Sequence, residues 1–289
     1  MATSVLFDAP GPKTVARHRV YSVVAYAGLL LVVAFIAWRL QETGQFAYDL
    51  WEPVLTPSII EVILVDGLLN TLKMAFSAII LAVVFGLVFG VGKLSDHAWV
   101  RWPCWLVVEF FRAVPVLLLM VFIFYQFGGV TNGDRGAYWS VVAALTLYNG
   151  SVLAEVFRAG INAVPSGQAE AAYALGLRKS QVMTIVLLPQ AVKIMLPSII
   201  SQCVVALKDT SLGYAIAAIG LSTVSRLVYI EYGNQLQVVA VVALLYIIVN
   251  LILTGIATWV QKKFVGEKNP IDLTRAGNMD GGQNTGGAV

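Results

Sequence analysis

The sequence predicts an all-α protein: a polytopic membrane helical bundle of six transmembrane helices with both termini on the cytoplasmic side. Three observations carry that prediction. Of the 289 residues, 58% are hydrophobic and only 12% charged, where an ordinary soluble domain carries roughly 25% charged residues. The charges are also bunched, so that residues 21–38, 74–92, 136–154, 194–207 and 236–261 contain none. Most of these runs approach or exceed the roughly 18 to 20 residues that cross a bilayer as a helix. Finally, the Lys and Arg residues gather on one side of the resulting topology, as the positive-inside rule requires.

The first span, Val20–Trp38, follows a basic tail over residues 1–19 that holds Lys13, Arg17 and Arg19. A basic stretch ahead of an apolar run also describes a signal peptide, but no A-x-A site follows it, so this extra first helix is expected to be retained. The remaining spans are Leu68–Gly92, Trp102–Phe127, Tyr138–Gly160, Pro197–Gly220 and Leu236–Val260. Thirteen of the 19 Lys and Arg then lie on the cytoplasmic side, Lys93 among them; Arg39, Arg135 and Arg226 lie outside, and Lys73, Arg112 and Lys208 fall within spans. Moving one helix across the membrane would erase this asymmetry. Residues 266–289 are polar and Gly-rich with no apolar period, and read as a disordered cytoplasmic tail. A net charge of +3 with no basic stripe gives no reason to expect a nucleic-acid partner. Cys104 and Cys203 sit in apolar segments without C-x-x-C spacing and read as small buried hydrophobes, and His18 and His97 have no second ligand nearby, so no metal site is expected.

Between the fourth and fifth spans, residues 159–196 are too polar to cross the membrane and too patterned to be a linker. Pro165 and Ser166 form a helix start, Gln168 to Leu175 are good helix formers, and Gly176 stands where a left-handed C-terminal cap is expected. A second helix, Lys179 to Leu188, carries Val182, Ile185, Val186 and Leu188 at helical spacing and is expected to stop before Pro189. Two short helices held at the cytoplasmic mouth of a bundle make a docking surface. A loop lying on the membrane surface would instead show Lys or Arg on one face, which Gln168 to Leu175 lacks.

Glu170, Ala171 and Ala172, then three residues, Gly176, nine residues, Val186, one residue, Leu188 and Pro189 resemble the EAA-x3-G-x9-I-x-LP loop of ABC-importer permeases, with Val in the Ile position. The surroundings resemble the polar amino-acid uptake branch of that family. They include Leu69-Asn70-Thr71-Leu72, Phe111-Arg112-Ala113-Val114-Pro115 where the family has FRGTP, Ala154-Glu155-Val156-Phe157-Arg158-Ala159-Gly160-Ile161, Leu188-Pro189-Gln190-Ala191 and Lys208-Asp209-Thr210-Ser211-Leu212. The likeness covers residues 67–260. The extra first helix and the opening Val5 to Pro12 resemble actinobacterial glutamate-uptake permeases.

The resemblance implies a type I importer permease of the bacterial cytoplasmic membrane, moving glutamate or another polar amino acid by alternating access. Its implied partners are a second permease subunit, homologous or identical, two ATP-binding subunits, an extracytoplasmic solute-binding protein and the membrane lipid. ATP and Mg belong to the partner ATPase. This chain is expected to bind no cofactor and to be a transport subunit rather than an enzyme; it contains no G-x4-G-K-[ST] phosphate loop. By the same resemblance Glu170, Ala171, Ala172, Gly176, Leu188 and Pro189 couple the chain to the ATPase, Glu170 as an acceptor for ATPase donors and Gly176 as the turn that lets both short helices dock.

A charge left in the hydrocarbon costs roughly 2.5 to 3.5 kcal/mol on insertion scales, so those within spans should face partners or a water-filled path. Arg112 and Lys208 are candidates to attract a substrate carboxylate, and Glu155 and Asp209 to receive its ammonium or to hold the two cations. The alternative is structural: Glu109 with Arg112, and Glu155 with Arg158, are three apart on a helix and can neutralise each other, while Lys208 and Asp209 can pin helices together. Thr210, Ser211 and Gly213 would tolerate an unwound turn, Pro115 reads as a kink, and Asn70 and Thr71 as helix-packing groups. A secondary transporter or channel driven by an ion gradient would use the same apolar helices and buried charges, but has no use for the spaced loop from Glu170 to Pro189. No H-E-x-x-H or G-x-S-x-G supports a membrane enzyme.

Overall fold

The computed structural model describes residues 12–127 and 132–265, so the expected tail at 266–289 and most of the basic opening segment lie outside the described residues. All regular structure among the described residues is helical. Helix α1 is Pro12–Glu42 and α2 is Tyr48–Leu55. Helix α3, Pro57–Gly92, widens to π geometry over Val62–Leu69. Then follow α4 (Ala98–Ala113), α5 (Val116–Gln126), α6 (Gly133–Asn162) and the short α7 (Ser166–Ala174). Helix α8, Lys179–Ile216, is π-helical over Val182–Leu187 and tightens to 3-10 geometry from Thr210. Helices α9 (Leu221–Tyr232) and α10 (Gln235–Val265) complete the chain.

Helices α1, α3, α6, α8 and α10 are each long and apolar enough to cross a membrane, and α4 with α5 makes a sixth span if the bent pair is one. The third span is thus not the continuous helix the apolar run suggests: α4 and α5 meet at 102°. Pro115 is the cause. Its ring disfavours the helical conformation at the residue before it, and Val114 is extended, with φ −80° and ψ 127°. Pro189 does the opposite of what was expected, because α8 runs straight through it into the fifth span. The π-helical turn immediately before Pro189 widens the coil where the ring would strike the carbonyl one turn back. The side chain of Gln190 donates to the Val186 carbonyl at 2.9 Å.

The bundle is centred on α3 and α6, which approach almost backbone to backbone. A Cβ on Gly90 would stand 2.7 Å from the Ala154 carbonyl oxygen, one on Gly86 2.8 Å from Leu153 Cβ, and one on Gly150 2.7 Å from Phe85. In lipid, where no water is squeezed out between helices, such close van der Waals packing of small residues supplies much of the association energy. Around this pair, one apolar cluster joins Met74 and Ala78 of α3 to Leu119 and Met120 of α5 and to Val141 and Leu145 of α6. A second joins Ala82, Leu153 and Phe157 to Ala191 and Met195 of α8, and a third packs α9 against the start of α3 and α10. Buried Thr71, expected as a packing group, donates to the Gly67 carbonyl at 2.9 Å and accepts from the Leu221 amide at 2.8 Å.

Helix α1 stands apart. Residues 16–39 are exposed throughout, and the helix is joined to the bundle beyond its C-terminus, where buried Gln237 donates to the Gln45 carbonyl at 2.7 Å. Because Gly90 abuts a backbone oxygen that cannot move aside, Gly90→Val should cost about 1–3 kcal/mol, the usual penalty of overpacking. Gly28→Val on α1, where a Cβ meets nothing within 4 Å, should be near neutral. Melting temperatures of the two variants in detergent check this, and equal melting would show that α3 and α6 are not closely packed.

Candidate functional site

Three features of this bundle can do chemistry or mechanical work. The first is a chain of five charges across α3, α4 and α6. At the end of α3, Lys93 has a side chain only 5% exposed; its ammonium pairs with Glu155 of α6 and, at 3.2 Å, with Glu109 of α4. Each carboxylate also holds an arginine on its own helix, Glu109 with Arg112 at 3.3 Å and Glu155 with Arg158 at 2.9 Å. Both pairs foreseen as the structural alternative are therefore formed, and Lys93 joins them into one network. It borders a cleft of about 450 Å³ that also includes Arg101, Trp102 and Trp105.

Lys93 had counted only as a cytoplasmic flank. Its partners lie 16 and 62 positions away, and no local spacing rule connects them. Close by in the fold, the exposed Asp96 pairs with Lys179 at the start of α8. The hydrogen bond and charge of Lys179 hold the Asp96 carboxyl below its ordinary value.

The second feature is the 3-10 end of α8. Lys208 and Asp209, the other candidate substrate contacts, are not part of the Arg112–Glu155 network: among the described residues they make no ion pair. The expected unwound turn is instead a tightened one, Thr210–Ile216, ending at Ala217 with φ +55°. Lys208 and Ser211 line a groove of about 570 Å³ between α8 and α10, shared with Tyr246, Asn250 and Thr254. The Asn250 side-chain oxygen is buried with no hydrogen-bond partner. The Asn250 amide and the Thr254 hydroxyl already donate to the Tyr246 and Asn250 carbonyls at 2.7 Å; the Lys208 ammonium with the Ser211 hydroxyl and the Tyr246 phenol on an open groove can bind an anionic group.

The third is the α7–α8 elbow. Gly176 has φ +78°, its amide bonds to the Tyr173 carbonyl at 2.9 Å, and the Leu177 amide bonds to the Ala172 carbonyl at 3.2 Å. That pair of bonds is the Schellman end that glycine favours. Ala172 is buried, while Glu170, Ala171 and Pro189 are exposed and Leu188 is half-buried. Gln190 donates to Gln168 at 3.3 Å, tying the two helices together beyond the turn. The apolar side chains of Tyr173, Leu175 and Ile185 are exposed on the same elbow.

With this geometry in view, comparison with known proteins is informative. The profile of the family described as "Binding-protein-dependent transport system inner membrane component" matches residues 78–266. The chain is 40% identical over 231 residues to the glutamate transport system permease protein GluD of Corynebacterium glutamicum, covering 78% of this chain and 83% of that one. It is 31% identical over 204 residues to the arginine transport system permease protein ArtQ of Bacillus subtilis, covering 69% and 91%. Among solved structures, a chain from the crystal structure of an amino acid ABC transporter with histidines superposes with a TM-score of 0.64 at 26% identity, over 70% of this chain and 94% of that one.

Two outcomes test the geometry itself. Glu155→Gln should lower stability by about 1–3 kcal/mol, the cost of a lost partner for a buried charged donor, and by more than Glu109→Gln, because the Glu155 side chain is 19% exposed against 39% for Glu109. Paired melting curves decide it. Since folding lowers the Asp96 pKa, its pair with Lys179 is held above the unfolded carboxylate value and released as pH falls through the lowered one. In Lys179→Met the Asp96 midpoint, followed by NMR of a labelled carboxyl, should move up toward the ordinary value; no movement would mean the pair does not form.

Proposed function

The chain belongs to the family of binding-protein-dependent transport system inner membrane components, and from that membership we propose that it is one permease subunit of an ATP-driven, binding-protein-dependent importer of acidic amino acids in the bacterial cytoplasmic membrane. As a permease it is a multi-pass membrane component that moves solute and catalyses no reaction. It works beside a second permease subunit, homologous or identical, with two ATPase subunits that carry ATP and Mg on one face and a solute-binding protein on the other.

The α7–α8 elbow is the observation that carries this reading. An exposed carboxylate, Glu170, shares a short helix with exposed Tyr173, and the same elbow exposes Leu175 at the helix end and Ile185 on α8, on either side of the left-handed Gly176. Exposed apolar side chains around a charge on a water-facing loop suit a protein partner. Glu170, Ala171, Ala172, Gly176, Leu188 and Pro189 then form the coupling surface, with Gly176 orienting α7 and Leu188 and Pro189 leading into the span itself. Force applied to α7 would enter the membrane through α8, which is continuous from the elbow to Ile216.

For the substrate, Lys208 receives a carboxylate with the Ser211 hydroxyl beside it, and Asp209 takes the ammonium. A Lys without a counter-ion in the middle of a span favours an anionic solute, and the glutamate permease at 40% identity supports the same class. Arg112, two-fifths exposed beside the α4–α5 break, adds positive potential, and Glu155 holds the cations of the ion chain.

The decisive measurement is uptake of labelled glutamate into proteoliposomes holding both permeases, the ATPase and the binding protein, with and without internal ATP. Uptake should require both ATP and binding protein; uptake that ignores ATP and follows an imposed ion gradient would replace the importer with a gradient-driven carrier. Gly176→Asp, at a left-handed position, should abolish uptake while membrane insertion stays normal. Lys208→Met should cut glutamate uptake about tenfold or more at low substrate, the scale of a lost charged hydrogen bond, and blunt its preference over glutamine.

A further inference from the structure

We propose that Lys93 is a positioning residue for transport: its ammonium clamps α4 and α6 to the end of α3, so that motion of the α7–α8 elbow reaches the α4–α5 break. The proposal rests on the ATP-coupled reading above and adds a joint outside the spaced loop.

Four observations meet at this residue. Lys93 is the cation that joins carboxylates on two different helices, while the arginines each serve a carboxylate on their own helix. The end of α3 is already seated against both neighbours: a Cβ on Gly92 would lie 2.5 Å from Cys104 Sγ of α4, and one on Gly90 2.7 Å from the Ala154 oxygen of α6. The segment that follows Lys93 reaches the elbow helix through the pair of Asp96 with Lys179, and Leu94 packs against the same buried cluster that holds Ala191 and Met195 of α8. On its far side, Glu109 holds Arg112, two residues before the extended Val114 where α4 ends. A continuous path of packed and charged contacts therefore runs from α8, through residues 93–96, to the bend.

Electrostatics explains why a lysine here acts as a clamp and not merely as filler. A buried ion pair contributes little net stability relative to apolar packing, because both ions lose water. Its geometry is nevertheless strict, and the clamp can be removed without leaving a bare charge: in Lys93→Met, Glu109 keeps Arg112 and Glu155 keeps Arg158. The variant should therefore fold.

The test uses the full complex in proteoliposomes and reads glutamate molecules imported per ATP hydrolysed, a ratio that simple loss of folded protein does not change. Lys93→Met should retain ATP hydrolysis and lower the ratio about tenfold, and Lys93→Arg should bring it back to within about twofold, within the range of coupling changes produced by single substitutions. Glu109→Gln, which cuts only the α4 arm, should lower it about threefold and carries the test if Lys93→Met is lost from the membrane. An ATP-dependent wild type with an unchanged ratio in these variants overturns the role of Lys93 alone. Wild-type uptake that ignores ATP overturns both readings.

Discussion

The close approach of α3 and α6 is the contact on which the remaining structure depends. Gly86, Gly90 and Gly150 let two long helices touch along their backbones, and the residues that flank these glycines supply all three sides of the surrounding core. Met74 and Ala78 face α5, Ala82 faces α8, and Thr71 receives the start of α9. In a solvent that does not reward apolar burial, a bundle is held by fit and by interhelical hydrogen bonds. The bond from Gln202 of α8 to Asn149 of α6, at 2.6 Å, is of that second kind.

Many polar groups within the spans are satisfied close to home. Where a group serves the architecture, it is satisfied locally or across one helix interface: Asn149 and Thr71 return to carbonyls one turn earlier, and Tyr138 bonds Ser77 at 2.8 Å. The five-charge chain obeys the same economy on a larger scale, since no member faces the hydrocarbon without an opposite charge. Lys208 and Asp209 make no ion pair among the described residues, at the point where α8 tightens to 3-10 geometry, and the Asn250 oxygen of α10, like the Thr146 and Ser151 hydroxyls of α6, is buried without a hydrogen-bond partner.

Much of this architecture was legible from residue order alone. Charge-free runs marked the spans because bilayer thickness sets a minimum helix length, and Gly176 announced the elbow because few other residues adopt a left-handed turn. Pro115 marked a break whose sharpness, 102°, no local rule supplies. Pro189 does not end the helix because the π-helical turn over Val182–Leu187 can absorb a proline, and no residue spacing in the sequence announces that turn. Among the candidate site residues, Arg112 and Glu155 stood out as charged, but the group that unites them did not. Lys93 looks from sequence like any basic residue at a span end; it is a hub only because glycines bring α4 and α6 against it.

Helix α1 has a consequence of a different kind. Between Arg19 and Arg39 lie nineteen uncharged residues, about 28 Å of helix against a hydrocarbon layer of about 30 Å. Residues 16–39 are exposed throughout this chain, so α1 can take up a mismatch with the local hydrocarbon thickness by tilting without disturbing the packing of its own bundle. Its C-terminal end is nonetheless tied, through Gln45 and buried Gln237, to the start of α10, whose Asn250 and Thr254 border the Lys208 groove. The helix most open to lipid is thus one hydrogen bond away from the helix that borders the groove.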